Sequence, residues 1–179
     1  MSPKDDLAVH YLETSVAAFK SQKKLAERAM EQLDDAGMFW VPEPESNSIA
    51  IIAKHVAGNM ISRWTDFLTT DGEKPNRNRD DEFVDGFTDK QQVLDLWEQG
   101  WNVLLTTLSE LTPDDLLRTV TIRGEPHTVV QAIQRQISHY GYHVGQIVYA
   151  AKAYRSAQWN TLSIAKNASA QFNASMKRS

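Results

Sequence analysis

The chain has 179 residues, a net charge of −4, 41% hydrophobic and 23% charged residues, and no cysteine. That length suits one domain with a real core, the charge excludes a nucleic-acid footprint, and the lack of cysteine excludes disulfides, thiolate ligands and a cysteine nucleophile. The opening MSPKDDLAVHYLETS carries no signal-peptide core and no apolar run approaches the ~20 residues of a membrane span, so one domain over 1–179 in the reducing cytoplasm is expected.

Helix starts are legible from their caps. Ser2-Pro3-Lys4-Asp5 places a serine cap, a proline at the first position and an acid at the third. The first helix is predicted to run to about Asp35, with Leu12, Val16, Phe19, Ala26, Met30 and Leu33 on one face and Gly37 ending it. VPEPESNS, with two prolines, reads as a loop. Asn47 or Ser48 caps a second helix reaching about Leu68, its apolar positions being Ile49, Ile52, Val56, Met60 and Phe67. Thr88-Asp89-Lys90-Gln91 reads as a capping box for a third, with Val93, Leu94, Trp97, Trp101, Leu104, Leu105 and Leu108 inward. Thr112-Pro113-Asp114-Asp115 starts a short helical turn. Arg118–Arg123, a Gly124-Glu125 turn and Pro126-His127 suggest a small peripheral hairpin. Thr128-Val129-Val130-Gln131 is a capping box for the last long helix, to about Tyr154, and a short tail helix follows around Leu162–Phe172. Four long amphipathic helices read as an all-α four-helix bundle. The ~18-residue polar connection from Thr70 to Phe87 is a crossover that makes helices two and three parallel, an up-down-down-up order.

The chemistry centres on histidine. His139 and His143 stand four apart and share a helix face, on a stripe beside the apolar one and next to Gln136 and Ala150. A third imidazole from His55, on a facing helix, would complete a three-histidine site with positions open to water or substrate, the catalytic rather than the structural pattern. With five histidines in the chain, such a pair also arises by chance, and on the residues alone an ordinary helix-face pair is an equal reading. His10 and His127 lie too far along their helices to join and read as solvated. Asn59, Gln136 and Gln146 fall near the ligands at helical spacing and are placed to orient the imidazoles or water. Lys74, Arg77 and Arg79 read as a solvated, self-paired charged loop, with attraction of a carboxylate-bearing thiol as the lesser alternative. Other chemistries fail: Tyr140, Gly141 and Tyr142 between the paired histidines exclude H-E-x-x-H, Gln136 excludes Glu-x-x-His, and there is no G-x-S-x-G or Walker loop. Gly141 and Gly145 suit close helix packing, inside the chain or between subunits. Most tryptophans read as core or interface, Trp64 and Trp159 equally as exposed interface anchors.

KHVAGNMISRWTDFLTTDGEKPNRNRDDEF and ISHYGYHVGQIVYAAK carry a resemblance to the DinB/YfiT-like superfamily, in a branch of unknown function, over nearly the whole chain. The resemblance implies an up-down-down-up bundle, commonly a homodimer, and a metal triad matching His55, His139 and His143. It also implies a divalent metal, with zinc or nickel expected. Members with assigned activities include metal-dependent S-transferases using bacillithiol or mycothiol and a mycothiol-dependent isomerase. Transfer of a small-molecule thiol to an electrophile is therefore the expected activity, with no catalytic side chain assigned. A metal-dependent hydrolase and a non-catalytic bundle tied by its ion are the competing classes. Neither nucleic acid nor membrane is expected as a partner.

Overall fold

A computed structural model describes the backbone of residues 3–176 and the side chains of 6–176. The expected Ser2 cap and the Asp5 carboxylate lie outside these described residues. The chain is mostly helical: α1 (Pro3–Met30), α2 (Asp35–Phe39), α3 (Ile49–Trp64), α4 (Lys90–Glu110), α5 (Val129–Arg155) and α6 (Ser169–Met176), with strands β1 (Thr119–Ile122) and β2 (Glu125–Thr128) ahead of α5.

The local signals act where expected, with shifts of a few residues. The Ser48 hydroxyl accepts from the Ile51 amide at the start of α3. At α5 the Thr128 hydroxyl accepts from Gln131 while the Gln131 side chain accepts from the Thr128 amide, a complete capping box. On α4 the cap is one residue later than expected: Asp89 accepts from the Gln92 amide. The first helix stops at Met30, short of Asp35, and Asp34 caps a separate short helix by accepting from Gly37. Gly37 does not end a helix; a Cβ there would lie 2.7 Å from the Tyr154 ring of α5, so its lack of a side chain admits that ring. The second helix ends at Trp64 rather than Leu68, because Asp66 turns the backbone to φ 48°. The tail helix is α6, later than expected, with no buried residue.

Burial follows the predicted faces. Each long helix contributes an aromatic ring to one cluster: Phe19 of α1 lies 6.2 Å from Trp64 of α3, 6.5 Å from Trp101 of α4 and 5.9 Å from Tyr140 of α5, between ring centroids. Trp64 is therefore core and not an exposed interface anchor; its indole N–H donates to the Tyr140 hydroxyl at 3.1 Å. Gly100 of α4 meets Ala57 of α3, and the Thr107 hydroxyl donates to the Trp64 carbonyl. Tyr11 of α1 donates to the Val130 carbonyl at one end of α5, and Gln22 donates to the Ile137 carbonyl.

The hairpin is more than peripheral. Its turn is Arg123-Gly124, both at positive φ, rather than Gly124-Glu125. This geometry suits a two-residue hairpin. The amides of both turn residues donate to the Asp71 carboxylate, and Gly72 donates to the Thr121 carbonyl. The polar connection between α3 and α4 is thereby anchored at its start, while Val120 and Ile122 enter the core. Among the described residues no helix is long and apolar enough to cross a membrane.

Candidate metal centre

α3 brings His55, and α5 brings His139 and His143 one turn apart. The Tyr140 hydroxyl, which receives the Trp64 N–H, donates to the Asn59 amide oxygen at 3.0 Å and so ties α3 to α5 beside the histidines. The three rings meet edge-on, their centroids 4.7–5.5 Å apart. One ring nitrogen from each lies within 4.8 Å of the other two, a group that could hold a metal ion. His55 is buried and its two partners are half-buried.

Hydrogen bonds decide which nitrogen faces inward. His55 Nδ1 lies 2.8 Å from Glu82 Oε2. A carboxylate only accepts, so Nδ1 carries the proton and Nε2 keeps a lone pair. His143 Nδ1 lies 2.7 Å from Gln146 Oε1, and the Gln146 amide nitrogen donates to the Tyr142 hydroxyl. His139 Nδ1 has Gln136 Oε1 at 3.3 Å. In the tautomer with a proton on each Nδ1, His139 Nε2 and His143 Nε2 turn their lone pairs toward one another across 3.1 Å. In that tautomer a cation would be coordinated by both.

Glu82 is the neighbour of the cluster that spacing did not reveal. It belongs to the short 3-10 turn Asp80–Phe83, which Lys54 of α3 clamps by donating its Nζ to the Asp81 and Val84 carbonyls. Arg77 grips the Glu82 carboxylate with two bonds of 2.8 Å and reaches Glu73 with its remaining nitrogen. Burial alone would raise the Glu82 carboxyl, but the bonds from His55 and Arg77 outweigh it and hold the group below the ordinary carboxylate range. The expected charged loop is self-paired, but it is not solvated at Arg77, whose side chain is only 5% exposed. Lys74 donates to the Asp71 carbonyl, and Arg79, which is exposed, lies over the Phe83 ring, itself packed on His55. In the sequence Arg77 and Glu82 are two charged residues among many in a polar stretch. Nothing in helical or strand periodicity marks such a pair.

Burial, then the neighbouring imidazoles and Arg63 and Arg77, push His139 down to about 3. His143 is lowered by burial and His55, against the opposing bond from Gln146. Both rings are therefore neutral at pH 7, as metal ligands must be. In the unfolded chain they titrate near ~6.5, so below that pH the unfolded state binds more protons and stability falls with pH. Glu82, lowered in the folded state, contributes in the same direction. The melting temperature of metal-free protein should thus drop steadily from pH 7 to pH 4.5, and a double His139→Ala, His143→Ala variant should flatten that decline. An equally steep decline in the variant contradicts this assignment.

Of the other expected residues, Gln136 and Gln146 do contact the imidazoles, whereas Asn59 binds Tyr140 instead. Its position on α3 points it at the neighbouring tyrosine rather than at a ring nitrogen. His10 and His127 lie outside the cluster. Gly141 is used within the chain, close against Gln22 of α1, while Gly145 has open space around it. Gly145, Gln146 and Tyr142 border a groove of about 610 Å³ whose far wall includes Trp40, Pro42 and Ile52. It shares Gln146 with the histidine cluster.

The family model described as "Protein of unknown function (DUF1572)" matches residues 6–168, and the chain belongs to this family. No curated protein matches it.

Proposed function

We propose that His55, His139 and His143 bind one divalent ion, zinc or nickel, and that the chain is a metal-dependent enzyme related to the DinB/YfiT-like superfamily, transferring a small-molecule thiol to an electrophile. The observation that carries this reading is the convergence of ring nitrogens whose opposite nitrogens are each hydrogen-bonded to an oxygen. An ion held by three neutral imidazoles keeps its full charge and supplies Lewis acidity that lowers the pKa of a thiol or of water. The protein's own residues fix the ring orientations through Glu82, Gln136 and Gln146. The groove beside Gln146, of a size typical for small ligands, offers apolar and aromatic walls to an electrophile.

The reading includes an up-down-down-up bundle. Supporting it, Ala57 and Trp64 along α3 meet Gly100 and Thr107 in the same order along α4, while Asp35 and Lys90 join the far end of α1 to the start of α4. It also includes a homodimer with helices at the interface.

Purified protein loaded with Zn2+ or Ni2+ should consume bacillithiol together with a bimane electrophile, and lose that activity on chelation. Ester turnover without thiol would instead assign a hydrolase. Absence of both, with a large metal-dependent rise in melting temperature, would leave the ion a purely stabilising role.

A further inference from the structure

We propose that Glu82 is a positioning residue for the metal site and that the polar segment around it, from Asp71 to Val84, is coupled to metal occupancy. This rests on the reading of the histidine cluster as a metal site. The carboxylate reaches His55 through a gap in α3: a Cβ on Gly58 would lie 2.5 Å from Glu82 Oε1. Gly58 is helical and has no positive φ, so its role is space rather than backbone freedom. The carboxylate enters that space and accepts the His55 Nδ1 proton, which leaves Nε2 turned toward the other two imidazoles.

A chain of buried and half-buried charges sets the position of Glu82. Arg77 holds both of its oxygens, Glu73 holds Arg77, and Arg63 of α3 lies 3.6 Å from Glu73. Lys54 fixes the backbone of the same turn at the carbonyls of Asp81 and Val84. Ser62 of α3 pins the start of the segment, donating to the Gly72 carbonyl and accepting from the Lys74 amide, while the Glu82 carboxylate is the segment's hydrogen-bond contact with the histidine cluster and falls on His55. A carboxylate accepting the outer proton of a ligating histidine raises the basicity of the inner nitrogen and orients the ring, and loss of such a partner typically weakens metal binding about 10- to 100-fold. The coupling is reciprocal: if docking of the segment strengthens metal binding, metal binding must hold the segment docked by the same factor.

Two variants and one measurement on the unmodified chain test this. Glu82→Gln keeps the shape of the side chain and removes its charge. Gly58→Ala keeps every polar group and displaces the carboxylate end, which is flexible enough to move without disturbing the helix. Competition titration with Zn2+ should give a Kd about 10- to 100-fold weaker in both variants, with helical circular dichroism unchanged. In unmodified protein, Zn2+ should slow hydrogen exchange at the amides of Arg77, Glu82 and Val84 by a similar factor. A purely structural role would lower the melting temperature of the metal-free variants and leave Kd alone, and that result overturns the proposal. Should Glu82→Gln fail to fold, Gly58→Ala and the exchange measurement decide. Unmodified protein that binds no Zn2+ defeats the metal reading and this proposal together. Tight Zn2+ binding that is equal in unmodified protein and both variants defeats only the role of Glu82.

Discussion

Replacing His143 by alanine should strip the ion from the protein while the helices persist. The substitution removes one of three converging nitrogens, the one 3.1 Å from His139 Nε2, and leaves only two ligands for the ion. Loss of an outer partner already weakens binding by about 10- to 100-fold, so loss of a ligand should exceed ~100-fold. The fold loses little, because His143 is half-buried and its bond to Gln146 lies at the edge of the groove, outside the aromatic core. Elemental analysis after dialysis against Zn2+ should give one ion per chain for the unmodified protein and a small residue for the variant. His10→Ala and His127→Ala should retain the full ion, since neither ring joins the cluster. Stoichiometric metal in His143→Ala would show that the ion, if bound, sits elsewhere. Any thiol-dependent activity should vanish with the ion and return when it is restored to the unmodified protein.

Gly100→Val should cost about 3 kcal/mol or more of stability. A Cβ at Gly100 would lie 2.8 Å from the Ala57 Cα and 3.2 Å from the Ala57 carbonyl oxygen. Both atoms belong to the backbone of α3, so no side-chain rotation relieves the clash and the two helices must separate. Valine adds a second branch at the tightest point of their contact. For a chain of this size the melting temperature should fall by roughly 6–12 °C. Because Ala57 lies two residues from His55, metal affinity should fall as well. Gly145→Ala is the matching control with the opposite sign: no atom lies within 4 Å of its Cβ position, so alanine gains helix propensity, up to about 1 kcal/mol, at no steric cost. A Gly100→Val protein that melts with the unmodified chain would mean that α3 and α4 are not in this close contact.

Much of the candidate site is legible in the sequence. His139 and His143 are tied to one face by helical geometry alone, and Gln136 and Gln146 stand three residues from their respective histidines, within reach along the same helix. Asn59 satisfied the same spacing argument on α3 but found Tyr140, because spacing places a side chain on a face and does not say which neighbour occupies that face. Glu82 and Arg77 had no spacing argument at all. Their partners lie on α3 and in an irregular segment, and a charged residue in a polar stretch looks the same whether it is solvated or paired and buried.

The sequence by itself determined the helix starts at Ser48 and Thr128, the inward faces of the long helices, and the turn-apart pair of imidazoles, since caps and periodicity act within a few residues of chain. The tertiary structure alone decided that α1 stops at Met30, that Trp64 is core, and that the missing Cβ is needed at Gly37, Gly58 and Gly100 but not at Gly145. It alone joined His55 to Glu82 across 27 residues. Each of these depends on what a distant segment brings to the same point in space, where steric exclusion and the pairing of buried charge outweigh any local preference.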